Sequence, residues 1–499
     1  MAKSIMVQGT MSDVGKSVLC AGLCRVFSQD GWSVRPFKSQ NMSLNSGVTP
    51  DGGEMGRAQV LQARACGVEP DVRMNPVLLK PTGETGSQVV VLGKVAGQKS
   101  ATDYYAYKRE LRETVESAYL SLASECDLVV IEGAGSPAEI NLRKDDFVNM
   151  GMAHIASSPV LLVGDVDPGG VFAQLYGTME LLPPEDRSLV RGLVVNKFRG
   201  DESILAPGLE ELERLCGVPV LGVVPWLDLD LDDEDSLSSR LSAREKTAPV
   251  DVAVVRLPHL SNFTDFDVLS RHPVMSVRYV THADELGRPD LLVLPGTKST
   301  LEDLQWLEDE WFDRCIVALA EAGTPVVGIC GGYQMLGQRL SDPEGAEGGG
   351  EAEGLGLLPV ETVFSKEKRT TRRHATLDVS EGFFAPLSGL SLEGYEIHEG
   401  TTEGSSERPV YFEEGGGYWA DGAVSGNVFG TYLHGFFDGS GVADAFASLL
   451  LQARGLPPWE AEESDDPEGV RERELDRLAD ALRDSLDMEK IRTIVEEGL

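Results

Sequence analysis

Residues 4–17 read SIMVQGTMSDVGKS, a short apolar strand pattern emptying into a glycine turn that closes on Gly15-Lys16-Ser17. A turn of this kind, between a strand and the helix that follows, gathers backbone N–H groups and the positive helix end around phosphates. Lys16 is then placed to reach the β/γ oxygens and Ser17 to ligate Mg²⁺. The reading makes ATP and Mg²⁺ the expected cofactors, with Gly9, Thr10, Asp13, Gly15, Lys16 and Ser17 as the nucleotide contacts.

Working outward, β-branched runs alternate with helical patterns through residue 224: SVRPF, a helix near 104–124, DLVVIE, PVLLVGD, a helix near 170–182, GLVVNK and PVLGVV. Strands alternating with helices of this length predict a parallel, doubly wound sheet. Residues 228–249 are charge-rich without apolar periodicity, the signature of a linker. A second series follows in VDVAVVRLP, PVMSVRYV, PDLLVLPG, a helix near 301–322, TPVVGIC and GNVFGTYLH. The expectation is α/β throughout: two tandem α/β domains at 1–227 and 250–455, with a helical extension at 456–499. Residues 343–354 (PEGAEGGGEAEG) read as a flexible acidic surface loop. Leu475, Leu478, Leu482 and Leu486 share one helical face, expected to pack on the second domain.

A chain of 499 residues exceeds the size of one growing core, which agrees with two domains. Seven cysteines, thinly spread, argue for free thiols in a reducing compartment, and the Cys20/Cys24 pair lacks partners for a metal site. The opening residues lack a signal-peptide pattern and no apolar run reaches membrane-spanning length, so a cytoplasmic protein without a membrane partner is expected. The formal charge of −37 makes nucleic acid an improbable partner. Residues 31–100 stand apart, with eight Lys or Arg against five acids. An anionic ligand is expected there, with Lys38, Arg57 and Lys80 as candidate contacts. Oligomeric state is not readable.

Phosphate chemistry needs a metal anchor at the end of a neighbouring strand, and DLVVIE supplies Glu132. After the strand GLVVNK, Asn196 and Lys197 stand where a nucleotide base could be recognised or a loop merely capped. In the second domain, PVVGICGGYQMLG sets Cys330 at a strand-to-helix turn between Gly328 and Gly332. This is the thiol version of the nucleophile elbow, and the helix N-terminus behind it favours a thiolate and offers oxyanion donors. Gly296, in the turn LPGTKST, could complete the oxyanion hole, with Gly331 and Gln334 as further glutamine or oxyanion contacts. Such a sulfur needs a proton carrier. Chemistry alone leaves His434 and His398 both open.

GICGGYQMLG with GTYLHG resembles the class I glutamine amidotransferase domain. The phosphate loop, with five residues between Gly9 and Gly15, resembles that of dethiobiotin synthetase-like NTPases. Their fusion is similar to the cobyric acid synthase family, a resemblance that runs nearly end to end through FKSQNMSLNS, EMGRAQ, MNPVLLKP, SQVVVLGK, EGAGSPAEINL, NKFRGD, LPHLSNFTDFD and LPGTKST. It implies Cys330 as nucleophile, His434 as its base, adenine recognition at Asn196 and Lys197, and glutamine and a corrinoid as substrates. The implied reaction is ATP-dependent amidation of the b, d, e and g carboxylates of adenosylcobyrinic acid a,c-diamide. Cobyrinic acid a,c-diamide synthase is the nearest alternative, and a partitioning-type nucleotide switch is one from another class. Where general class I domains carry a Glu, two residues after the histidine, this chain has Phe436, which implies a Cys–His dyad. Pro168 stands where the family usually carries an Arg.

Overall fold

The structure is a computed structural model that describes residues 2–82, 86–231, 248–404, 407–414, 417–460 and 467–499. Most of the expected linker, 232–247, lies outside the described residues. Among the described residues, no helix is long and apolar enough to cross a membrane.

The first half is built on a six-stranded, all-parallel sheet in the order Val220–Pro225, Val190–Phe198, Val160–Asp165, Lys3–Gly9, Leu128–Glu132, Val34–Phe37. Its strands read as continuous apolar runs because both faces are covered. Met6, Val129, Ile131 and Leu162 enter one core, while Ile5, Val7, Val130 and Val163 enter the other, as the two-residue period of a strand requires. The strand Lys3–Gly9 sits centrally and pairs Val7 with Glu132, which brings the phosphate loop beside that acid.

Between the edge strand Val34–Phe37 and the helix Ala101–Ala123 lies a small module not foreseen from sequence. It comprises a four-stranded sheet (Gln40–Met42, Val77–Pro81, Gly86–Val91, Lys94–Ser100) and a hairpin (Ser46–Val48, Glu54–Gly56).

The second half carries another six-stranded sheet, parallel except at the edge strand Ala423–Ser425, with Val326–Ile329 between Leu291–Leu294 and Val428–Thr431. Beside it stands a seven-stranded sheet dominated by the long antiparallel pair Glu361–Leu377 and Ser391–Glu403. The helix expected near 301–322 is two helices, Thr300–Asp309 and Phe312–Glu321, broken where Trp311 turns left-handed at φ 66°. Residues 343–354 are not merely a flexible surface loop. Asp342 ties down the backbone N–H groups of Ala346, Glu347 and Gly349, and Gly350–Glu353 pairs with Arg339–Asp342.

The C-terminal expectation is also corrected. Leu475, Leu478, Leu482 and Leu486 pack on the first sheet and its first helix, Lys16–Gln29, rather than on the second domain. A side chain at Gly22 would meet Leu482 Cδ1 at 2.4 Å, so the bare glycine lets the helices close. Arg25 pairs with Glu472 and Asp476, and Asp30 with Arg483 and Arg492, around this seam.

Candidate functional site

The helix Lys16–Gln29 starts directly after Gly15, whose φ of 91° suits glycine. A Cβ there would lie 2.3 Å from Asn196 Nδ2, which donates instead to the Val14 carbonyl at 2.7 Å. Lys197 bonds the Asp13 carbonyl and pairs with Asp165 at 2.8 Å. Asn196 and Lys197 thus brace the phosphate loop from the strand Val190–Phe198 while still lining the crevice above it. Lys16 is buried, its ammonium donating to the Met11 carbonyl at 3.0 Å, and Thr10 donates to Gln174 at 3.2 Å.

Glu132 is the hub of this site. Its carboxylate accepts from Ser17 Oγ (2.8 Å), Lys38 Nζ (2.6 Å), Gln59 (3.3 Å) and Gln62 (2.6 Å). Pro168 is exposed in the turn after Asp165, outside the crevice lining.

The crevice has a volume of about 1550 Å³ and extends from Lys16 and Ser17 to Pro258, His259 and Glu302 of the second half. Small-ligand pockets span roughly 300–1,000 Å³, so a nucleotide leaves room here for a second, large substrate. Of the three expected anion contacts only Lys38 lines it. Lys80 is buried against Glu54, and Arg57 lies over the Tyr395 ring, both facing the second domain. Beside Lys16, Lys38 and Lys197, the crevice is lined by Lys108 and Arg143, which charge counting within residues 31–100 could not reach. Burial lowers the Lys108 ammonium, with Asp146 and Asp145 opposing that shift.

The second site is built around Cys330, which holds φ 52° and ψ −109° between Val326–Ile329 and the short helix Gly331–Met335. This strained conformation is the elbow expected of an exposed nucleophile. A side chain at Gly332 would collide with the Leu294 carbonyl at 2.0 Å, so the turn needs glycine there. Cys330, His434, His398, Gln334, Thr297 and Lys298 line one pocket. A Cβ on Gly296 would lie 2.9 Å from the His434 ring and one on Gly331 2.6 Å from Thr297, so both positions need glycine. Gln334 donates to the Glu399 carbonyl (3.2 Å) and the Tyr432 hydroxyl (3.0 Å).

The two histidines differ sharply. His398 stacks on Tyr432 with centroids 3.7 Å apart, its Nδ1 lies 3.2 Å from the Gly400 carbonyl, and burial, helped by Arg369, pushes it down to about 3. His434 Nδ1 meets Asp265 Oδ2 at 2.7 Å. Burial works against its imidazolium, but the Asp265 carboxylate and then the Cys330 sulfur outweigh that, and it is raised to about 10.

An acid therefore does stand behind the histidine, unlike the dyad implied by Phe436. Phe436 is packed among Phe429, Phe437 and Phe446, while the carboxylate arrives from the turn Phe263–Phe266. Asp265 lies in the quoted segment LPHLSNFTDFD, yet no spacing rule joins it to a histidine 169 positions away.

The seven cysteines are free, and Cys24 is raised by burial and by its neighbour Cys66. Among the described residues no group of three or more His, Cys, Asp or Glu is arranged for a metal ion.

A parallel sheet carrying a phosphate loop, joined to a domain with a cysteine elbow backed by histidine and aspartate, defines a nucleotide-binding protein fused to a glutamine amidotransferase. Residues 5–237 match the CobQ/CobB/MinD/ParA nucleotide binding domain and residues 251–442 the CobB/CobQ-like glutamine amidotransferase domain. The chain belongs to the cobyric acid synthase family. A cobyric acid synthase of Ruminiclostridium cellulolyticum is 53% identical, covering 100% of this chain and 98% of its own. One of Lachnoclostridium phytofermentans is 50% identical, with 100% of both chains covered. Among solved structures, a glutamine amidotransferase aligns at 14% identity over 41% of this chain and 99% of its own, with a TM-score of 0.29, too distant to bear on function.

Proposed function

We propose that the protein uses glutamine and ATP to amidate the b, d, e and g carboxylates of adenosylcobyrinic acid a,c-diamide. The observation that carries this reading is full-length identity of 50–53% to cobyric acid synthases, together with both reaction sites in one chain. Cys330 Sγ attacks the glutamine carboxamide carbon, and His434, oriented by Asp265, gives its proton to the departing ammonia. Water then releases glutamate from the thioester. Gly296, Gly331 and Gln334 surround the oxygen on which charge develops.

In the first domain the N-terminus of the helix Lys16–Gln29 and the Lys16 ammonium hold the phosphates of ATP. The γ-phosphoryl group passes to a corrinoid carboxylate, and ammonia displaces phosphate from that acyl phosphate. Ser17 Oγ and the Glu132 carboxylate, 2.8 Å apart, are a hard oxygen set that fits Mg²⁺ when phosphate oxygens complete it. The ion would supply positive charge to the transferring group. Asn196 and Lys197 lie on the crevice wall where the adenine would rest, and Lys108 and Arg143 face the corrinoid carboxylates. The enzyme acts as a cytoplasmic protein.

The test is mass spectrometry of cobyrinic acid a,c-diamide after incubation with enzyme, glutamine and ATP. Four successive acid-to-amide conversions are expected; no change in the diamide, with two conversions when cobyrinic acid is supplied in its place, would assign the diamide synthase reaction.

A further inference from the structure

The wall of the glutaminase pocket facing Cys330 and His434 carries five charged side chains that the chemistry at sulfur does not use: Lys80, Lys298, Lys368, Glu347 and Glu399. Charge in so confined a place is costly unless it is matched by opposite charge. The protein matches it only in part.

Lys368 and Lys80 share a single carboxylate, Glu54, at 2.5 and 2.7 Å. Lys298 has Glu399 at 3.7 Å, a carboxylate that also accepts from Gln88 at 2.9 Å. This leaves a surplus of positive charge on that side of the pocket. Burial pulls the Lys368 ammonium down to about 8, with Glu54 opposing and Lys80 and Lys298 reinforcing the shift.

Glu347 presents the reverse case. It reaches in from the turn after Asp342 and accepts from Thr300 N (2.7 Å), Thr300 Oγ (3.1 Å) and Leu301 N (3.3 Å), all neutral donors. Burial pushes its carboxyl up to about 7, although Lys298 works the other way.

Glutamine differs from a plain carboxamide by an α-carboxylate and an α-ammonium held a few bonds from the amide. We propose that this wall recognises that zwitterionic end, Lys298 and Lys368 binding the α-carboxylate and Glu347 the α-ammonium, so that the pocket selects free glutamine over other amides. The proposal rests on Cys330 being the glutaminase nucleophile. The pocket encloses about 40 Å³, too little for the whole molecule, so the wall must give way as substrate enters. Lys80 and Glu54 come from the first domain, which makes that domain part of the glutamine site.

The test compares glutamine with two analogues that each lack one charge: γ-aminobutyramide, without the α-carboxylate, and glutaramic acid, without the α-ammonium. Lys298→Met should raise KM for glutamine about 10- to 100-fold, the worth of one charge-assisted hydrogen bond, and leave turnover of γ-aminobutyramide unmoved. Lys368→Met should behave alike. Glu347→Gln, which can keep the bonds to Thr300, should raise KM for glutamine and not for glutaramic acid. Amidation driven by ammonium salt checks that each variant is folded. An unchanged glutamine KM in folded Lys298→Met and Glu347→Gln, or equal losses on glutamine and the analogue lacking the matching charge, overturns the proposal. Cys330→Ala separates the two readings: if it still hydrolyses glutamine the nucleophile assignment fails, and if it does not while Lys298→Met keeps the wild-type KM, only the recognition proposal fails.

Discussion

His434 Nδ1 lies 2.7 Å from Asp265 Oδ2, and the other Asp265 oxygen accepts from the Gly435 backbone N–H at 3.0 Å. Both side chains are buried, so the carboxylate fixes the ring's orientation and holds the proton on Nδ1. Asp265→Asn is expected to lower kcat for glutamine hydrolysis by about 10²–10⁴-fold, the scale seen when such an acid is neutralised in a catalytic triad. Amidation with ammonium salt should persist. An unchanged kcat would reduce Asp265 to a structural role.

The same contact sets a pH dependence. Because the His434 imidazolium is raised to about 10, it stays protonated through neutral pH and loses its proton only on the alkaline side. Removing the Asp265 charge removes the first of the contacts that raise it, so the alkaline limb of the kcat/KM profile should move to lower pH in Asp265→Asn. A rate profile from neutral to alkaline pH checks this; a limb that stays in place would uncouple His434 from Asp265.

The two sites should fail separately. Cys330→Ala and His434→Ala should abolish glutamine-dependent amidation and spare the ammonia-dependent reaction, whereas Lys16→Ala should abolish both amidations and leave some glutamine hydrolysis. His398→Ala should be milder, since burial keeps that ring neutral. Product formation with glutamine and with ammonium salt, at a pH leaving free NH₃, distinguishes them. Normal amidation by Lys16→Ala would sink the phosphate-loop assignment.

For the corrinoid, the proposed contacts are the crevice cations Lys108 and Arg143. Lys108→Met and Arg143→Met should raise the corrinoid KM more than that for ATP, most visibly at low salt for the exposed Arg143. Arg57→Met should leave the corrinoid KM near wild type, since its side chain faces Tyr395. Initial rates at varied corrinoid and salt settle the order.

The C-terminal helix supports the nucleotide domain, so its loss should be felt there. Leu482→Ala removes a fully buried side chain lying over Gly22 and should cost about 2–5 kcal/mol. Thermal unfolding with and without ATP should show the first domain weakened and nucleotide binding impaired, while glutamine hydrolysis is largely kept. Equal loss from both domains would contradict the packing described.

By itself the sequence determined what is local. The phosphate loop, the acid at the end of DLVVIE and the elbow around Cys330 each depend on a few consecutive residues and on the geometry of one strand joined to one turn. The tandem α/β plan was legible for the same reason, since strand and helix periods repeat within short windows. Tertiary structure alone decided which acid backs His434, which domain the leucines of 475–486 cover, and that Glu347 turns inward from an acidic stretch. It also took Lys80 and Arg57 out of the crevice and set them against the second domain. Each of these depends on surfaces meeting across tens to hundreds of residues, and a charge's role there is set by which neighbours displace its water, a quantity no spacing along the chain records.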